Sequence, residues 1–446
     1  MAIPASAAGS AAMVLAPVGL GSAGIPILAT ITSCVEFSLV RHRPCYRHVC
    51  NDRISYFHTN AVFIITYREP PFIHNNYKNF ISRKLTVNII VPFIIAMLVT
   101  FVVSPFVIHF AKALKLVDNP RVRYHPAHTH KGIIPRAGGL AILIGLVIAI
   151  ILFLPMTKLY IGLLIAATLL VIVGLFDDKK DVNPYIRLTT NAIAAGIMVG
   201  AGAGIPYITN PLTGGVIHLD TLRITFSFFG THSILVWADL LAFIWILWTM
   251  NIVGWSAGVD GQMPGFVAIA ALTLGFLSLR FTMRDPSQET ITILAFIVAG
   301  TFTGFIPWNF YPQKIMPGYG GKTLAGFLLA ILGILSYGKL GTALLVLGVP
   351  TTDAIYTLLR RIGTKKSPVV ADRGHLHHRL LDIGWGKRRV ALFYWGVSAI
   401  LGVIALTITS KQKVFALLLV AVGIGAFLIW VQFFTQFSKP QDPDNG

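Results

Sequence analysis

Residues 159–187 read LYIGLLIAATLLVIVGLFDDKKDVNPYIR. From Leu159 to Phe176 the chain carries no charge for 18 residues, the length of a membrane-spanning helix. It then meets two adjacent carboxylates, Asp177 and Asp178. Side by side at a helix end these repel each other unless a cation shares the site. A metal or phosphate-handling site is one explanation, and a helix end where charge meets water is the other.

The same apolar pattern recurs along the chain. Its 446 residues are 55% hydrophobic and 12% charged, with a mean hydropathy of +0.73, which excludes an ordinary soluble domain. Apolar runs begin near Leu85, Ala137, Leu159, Leu188, Ser233, Met263, Thr290, Thr323, Lys339, Val390 and Val414. They predict an all-α, polytopic membrane helix bundle of about eleven transmembrane helices.

The net charge of +19 is a topology signal. If alternate connections share a side, one side holds 21 of the 36 Lys and Arg and the other holds 7, the rest preceding the first span. By the positive-inside rule the richer side is cytoplasmic and the C-terminus ends there. Cations dispersed among membrane loops, with no recognition module, exclude nucleic-acid binding. Residues 1–84 form an N-terminal segment without a steady period, 85–434 the transmembrane domain and 435–446 a polar tail. All three cysteines (Cys34, Cys45, Cys50) lie in the first segment, and C-x4-C around His48 has the wrong spacing for a zinc knuckle.

The polar residues that are costly to place near a membrane all fall on the basic side. The first loop, HPAHTHKGIIPRAGG (125–139), contains Lys131 and Arg136 and ends in a rigid turn with two glycines, which suits a phosphate cradle or a plain basic loop. The second holds Asp177 and Asp178 with Lys179, Lys180 and Arg187; Mg²⁺ is bound through one or two carboxylates plus substrate phosphates. The third, TMNIVGWSAGVDGQMPG (249–265), places Asp260 in a Gly-rich break between spans, a functional position or a turn Asp capping the next helix. The last carries H-L-H-H at 375–378 beside Arg373 and Arg379. On a helix His375 and His378 share a face and His377 points elsewhere. Imidazoles among guanidiniums suit an anionic diphosphate better than zinc. Asp353, just upstream, is a partner for one of these cations. An acidic centre ringed by basic loops fits phosphoryl transfer with a lipid substrate.

These motifs, IPRAGG, GLFDD…NPYIR, N…GVDG, NFYPQKI and SPVVADRGHLHH, stand in an order that resembles the polyprenyl-phosphate N-acetylhexosamine-1-phosphate transferase superfamily (glycosyltransferase family 4). The resemblance covers about residues 87–430 and is closer to the bacterial undecaprenyl-phosphate GlcNAc-1-phosphate transferase branch than to the phospho-MurNAc-pentapeptide branch. It implies a bacterial inner-membrane enzyme that moves a sugar-1-phosphate from a UDP-sugar to undecaprenyl phosphate and releases UMP, with Mg²⁺ or Mn²⁺ as cofactor and a homodimer as assembly. Such a reaction is the first lipid-linked step of a cell-envelope glycan pathway. By the same resemblance Asp177, Asp178 and Asp260 are catalytic, with Asp178 and Asp260 on the metal. Lys131, Arg136, Arg187, Asn251, Arg373, His375, His377 and His378 hold substrate, all on the cytoplasmic face.

The chain departs from the family pattern at three places. Gly254 replaces an Asn, Ala257 an Asp, and Tyr319, in G-Y-G-G (318–321), a principal metal-binding Asp. A neutral phenol is a poor Mg²⁺ ligand. These departures sustain a second expectation, a non-catalytic relative that binds lipid phosphate or nucleotide sugar. A third, an ion-coupled transporter, predicts acids near mid-membrane and a repeated pair of broken helices, and no repeat is visible.

Overall fold

The structure, a computed structural model, describes the backbone of residues 11–14, 28–31, 35–40, 49–50, 53–58, 61–67, 71–120, 132–210, 213–227, 231–282, 284–336, 340–365 and 374–437. Cys34, Cys45, His48, Lys131 and Arg373 lie outside these residues. The chain divides into two compact units, Met1–Val87 and Asn88–Gly446.

In the first unit the described backbone pairs Ala11–Val14 with Leu28–Ile31. It also forms a four-stranded antiparallel sheet in the order Val35–Val40, Ala61–Tyr67, Arg53–His58, Val49–Cys50. The sequence predicts no element here. Their residues precede the first apolar run, which begins near Leu85.

The second unit is helical, built from the part of α1 (Pro71–Ala113, side chains described from Val87) that follows Val87, and from α2 (Gly138–Phe153), α3 (Lys158–Lys180), α4 (Pro184–Gly200), α5 (Val236–Trp255), α6 (Gln262–Leu279), α7 (Ser287–Asn309), α8 (Gly318–Leu335), α9 (Leu340–Val346), α10 (Gly348–Gly363), α11 (Leu376–Asp382), α12 (Lys387–Thr407) and α13 (Ser410–Phe437). Each expected apolar run falls on one of them except the run beginning near Lys339, which is divided between α9 and α10. Among the described residues eight helices are long and apolar enough to cross a membrane, and α9 with α10, bent by 82°, makes a ninth if counted as one span. The helices α2 and α4 are shorter, 16 and 17 residues. Two small hairpins, Tyr207–Thr209 with Val216–His218 and Arg223–Ser227 with Thr231–Leu235, connect α4 to α5.

The helix α8 is the most enclosed span and α13 the least. The former packs against α5 and α3, α6 packs against α7 and α12, and α2 fits between α7 and α8. Small residues set the closest approaches, as expected where lipid supplies no hydrophobic drive between helices. A Cβ on Gly139 of α2 would lie 2.5 Å from the Gly321 nitrogen, and one on Gly174 of α3 would run into the Gly320 backbone. These contacts bring the ends of α2, α3 and α8 together at one face.

The helix α10 is amphipathic in the inverted sense. Asp353, Thr357 and Arg361 recur every four residues on its buried face, while Ile355, Leu359 and Ile362 are exposed. A helix that shows Leu and Ile outward and Asp inward suits an apolar exterior and a polar interior.

Candidate active site

The acid pair sits in the last turn of α3, and the DVNP sequence ends that helix. Asp181 adopts a left-handed conformation (φ 48°), Asn183 accepts from the Tyr185 N–H at 2.9 Å, and Pro184 opens α4. The two carboxylates then part company. Asp177 accepts from Arg187 Nε at 2.5 Å and from the Val182 N–H at 3.2 Å, so it fastens the turn. Asp178, 3% exposed, forms an ion pair with Arg136 Nε at 3.2 Å and accepts from the Tyr319 N–H at 3.0 Å.

Arg136 is delivered by the IPRAGG segment. Its N–H donates to the Leu116 carbonyl (2.9 Å) where Val117–Asp118 pairs with Ile134–Pro135, and its guanidinium lies 4.0 Å from buried Asp118. The two glycines are not a phosphate cradle. Gly138 N–H donates to the Met316 carbonyl (2.9 Å) and Gly139 N–H to that of Pro317 (2.8 Å), so both donors are spent on docking α2 to the start of α8. Gly318 follows at φ 69°, a left-handed position that favours glycine, tight against the Asp178 carboxylate and the Arg136 carbonyl.

Tyr319 meets Asp178 only through its backbone. Its ring lies under Arg187, 5.2 Å from the guanidinium carbon, and its hydroxyl accepts from Asn191 Nδ2 at 3.2 Å. One turn on, Lys322 interacts electrostatically with Asp178, Asp118, Arg136 and Arg187 on one side and His377 on the other. Among the described residues its ammonium has no hydrogen bond and no ion pair. The sequence reading missed Lys322, although an ionisable residue inside an apolar span is a functional signal in itself.

Asp260 belongs to a neighbouring cluster. Lys387 Nζ lies 3.0 Å from Oδ1, the Gln313 N–H is 3.5 Å from Oδ2, and Asn309 Oδ1 takes the adjacent Gly261 N–H at 3.0 Å. Among the described residues no hydrogen bond or ion pair joins Asp260 to Asp177 or Asp178. Lys387 was also missed, because K-R-R at the start of α12 cannot be told from a topology signal. Asn251 stands on α5, where its amide donates to the Leu247 carbonyl of its own helix at 2.7 Å.

The histidine loop corrects the expected pairing. His375 is not helical but caps α11 with extended backbone (φ −71°, ψ 150°), so its ring stacks on His377 at 5.8 Å and 5° instead of sharing a face with His378. His377 in turn lies 4.3 Å from His378. Asp353, fully buried on α10, takes His375 Nδ1 at 3.0 Å and the Leu376 N–H at 2.8 Å, the expected partnership. Arg379 anchors the loop to the Gly374 carbonyl (3.0 Å) and the Leu428 carbonyl (3.1 Å).

His377 rests on Gly258, where a Cβ would come within 2.6 Å of its Cδ2. Burial pushes the His377 imidazole well below the ordinary histidine value, with His378, His375 and Lys322 adding to the effect. It is therefore neutral at pH 7. Its Nδ1 and the Ser256 hydroxyl are buried without a hydrogen-bond partner among the described residues, two polar atoms a ligand can satisfy.

The residues present do not fit a protein-built divalent site. Among the described residues no three of His, Cys, Asp and Glu converge on a point where they could hold an ion. Asp177, Asp178 and Asp260 each face a cationic side chain at 2.5 to 3.2 Å, and a phenol occupies the third acidic position.

The profile of glycosyl transferase family 4 matches residues 160–337. The chain is 30% identical, over 67% of its length and 78% of the relative's, to a decaprenyl-phosphate N-acetylglucosaminephosphotransferase of Mycobacterium leprae. It is 26% identical, over 73% of its length and 86% of the relative's, to a probable undecaprenyl-phosphate N-acetylglucosaminyl 1-phosphate transferase of Bacillus subtilis. A phospho-N-acetylmuramoyl-pentapeptide-transferase of Moorella thermoacetica is 27% identical over 71% of this chain and 96% of its own.

Proposed function

This chain belongs to glycosyl transferase family 4, the polyprenyl-phosphate N-acetylhexosamine-1-phosphate transferase superfamily, and from that premise we propose that it transfers GlcNAc-1-phosphate from UDP-GlcNAc to undecaprenyl phosphate at the cytoplasmic face of a bacterial inner membrane. An oxygen of the lipid phosphate attacks the β-phosphorus of the nucleotide sugar. The bond from that phosphorus to the bridging oxygen breaks, and the bridging oxygen leaves with UMP. Little covalent chemistry falls to the protein in such a transfer, so positioning and charge carry the catalysis.

The observation that carries this reading is the convergence of Arg136, Asp178, Lys322 and the histidine loop at one end of the bundle. Asp178 takes the residual proton of the acceptor phosphate and holds Arg136 toward it. Arg187, fixed by Asp177, steadies the diphosphate. His375, His377 and His378 take the uridine diphosphate end, where the unpartnered His377 Nδ1 and Ser256 hydroxyl await a polar ligand. The basic excess of the connecting loops supports the cytoplasmic orientation.

UMP release by the detergent-purified protein from UDP-GlcNAc and undecaprenyl phosphate tests the proposal. A parallel arm with UDP-MurNAc-pentapeptide addresses the other branch among the relatives. Release that disappears in Asp178→Asn supports the transfer. Binding of UDP-GlcNAc without any release would establish a non-catalytic relative instead.

A further inference from the structure

We infer that Lys322 supplies, in this chain, the positive charge that a divalent cation brings to the transferring phosphate, so that the transfer proceeds without a metal ion. The inference rests on the transferase reading above. It begins from the donor set: the carboxylates at the site already face protein cations, Asp177 with Arg187, Asp178 with Arg136 and Asp260 with Lys387. A divalent ion has no cluster of three ligands to enter among the described residues.

Tyr319 closes the remaining position. Its hydroxyl is committed to Asn191 and its ring to Arg187, so it offers Asp178 a backbone N–H and no oxygen. A further cation, Lys322, stands one turn further along α8. The Lys322 ammonium, with no hydrogen bond or ion pair among the described residues, lies in the fields of Asp178 and Asp118, and on its other side its charge disfavours protonation of His377.

The two carboxylates are shared with Arg136, so an ammonium in that setting is placed to meet an anion that enters between the acid pair and the histidine loop. Lysine binds phosphate as a point charge with three donors, which suits an oxygen that gains charge as the bond to UMP breaks. No atom is transferred to or from Lys322. Its charge is opposed to that of the β-phosphate throughout.

The experiment uses the full-length protein in detergent, treated with EDTA and desalted. UMP release is measured with EDTA present and with added Mg²⁺, for the wild type, Lys322→Met and Lys322→Arg, with thermal melts as the check on folding. Mn²⁺ binding to the substrate-free protein is followed by electron paramagnetic resonance, for the wild type and the double variant Tyr319→Asp/Lys322→Ser. The wild type is expected to release UMP equally with and without EDTA and to bind no Mn²⁺. Lys322→Met is expected to lose about a hundredfold in kcat, the scale for removing one charge-stabilising donor, with partial rescue by Lys322→Arg. The double variant is expected to bind one Mn²⁺. Activity that EDTA abolishes and Mg²⁺ restores, stoichiometric Mn²⁺ binding by the wild type, or full activity in a folded Lys322→Met overturns the inference and leaves the transferase reading standing. If no UMP appears under any condition, the transferase reading fails and takes the inference with it, an outcome distinct from EDTA-sensitive release, which refutes the inference alone.

Discussion

Gly318→Ala places a methyl group at the tightest point of the site. At φ 69° an alanine costs about 1–2 kcal/mol against glycine. Its Cβ would also stand 2.9 Å from Asp178 Cγ and 2.7 Å from the Arg136 carbonyl oxygen. The carbonyl is backbone tied into the strand pair beside Leu116 and Met316, so Asp178 is the group that moves. A displaced Asp178 loses its 3.0 Å bond from the Tyr319 N–H, about 1.5–3 kcal/mol for a hydrogen bond to a charged group. The total, about 2.5–5 kcal/mol, corresponds to a fall of about a hundredfold to several thousandfold if it appears wholly in kcat. UMP release is the assay, with the melting temperature in parallel. Gly196→Ala is the control, because a Cβ there meets nothing within 4 Å and alanine favours the helix by about 0.5–1 kcal/mol. A Gly318→Ala protein with activity within about threefold of wild type, below 1 kcal/mol of barrier, would refute the claim that GYGG holds Asp178 in its working position.

Four further outcomes are expected. Arg136→Gln removes the cation beside buried Asp178, and melts show a loss of about 3 kcal/mol, the low end for breaking a buried pair because Arg136 is 19% exposed. Gly258→Ala drives a methyl into the His377 ring, raising KM for UDP-GlcNAc about tenfold with kcat less affected, as expected for lost ground-state binding. Asp353→Asn weakens the acceptor for His375 and the Leu376 N–H, and hydrogen exchange at α11 accelerates. His377 has a depressed value in the folded chain, so the stability it contributes is present above the ordinary value of about 6.5 and is lost as pH falls, when the unfolded chain takes up a proton that the folded chain resists. Thermal melts across that range should show an acid-side decline that His377→Gln flattens.

Hydropathy made the helices legible, because a run such as Leu159–Phe176 has few alternatives to a span. It did not distinguish α2 and α4, whose short lengths are set by where the chain turns. The strands of residues 11–67 escaped it, because their sequence has no steady alternation. Within the site the acids and histidines were visible as polar residues in costly places. Their partners were not. Spacing alone cannot show that Asp177 fastens a turn while Asp178 faces the site, since both lie in one helical turn and the difference is their direction. On a helix His375 would share a face with His378, but it precedes α11 and stacks on His377 instead. In the sequence Lys322 and Lys387 are each one of many cations beside the apolar runs. Only the packing of α8 against α2 and α3, through Gly139, Gly174 and Gly320, brings Lys322 into the field of Asp178.

The most direct test of the transferase account is mass spectrometry of the lipid after incubation of the protein with UDP-GlcNAc and undecaprenyl phosphate. The account predicts a lipid that gains one N-acetylhexosamine together with one phosphate, in amounts equal to the UMP released. An unchanged lipid, or one that gains the sugar without the phosphate, would contradict it.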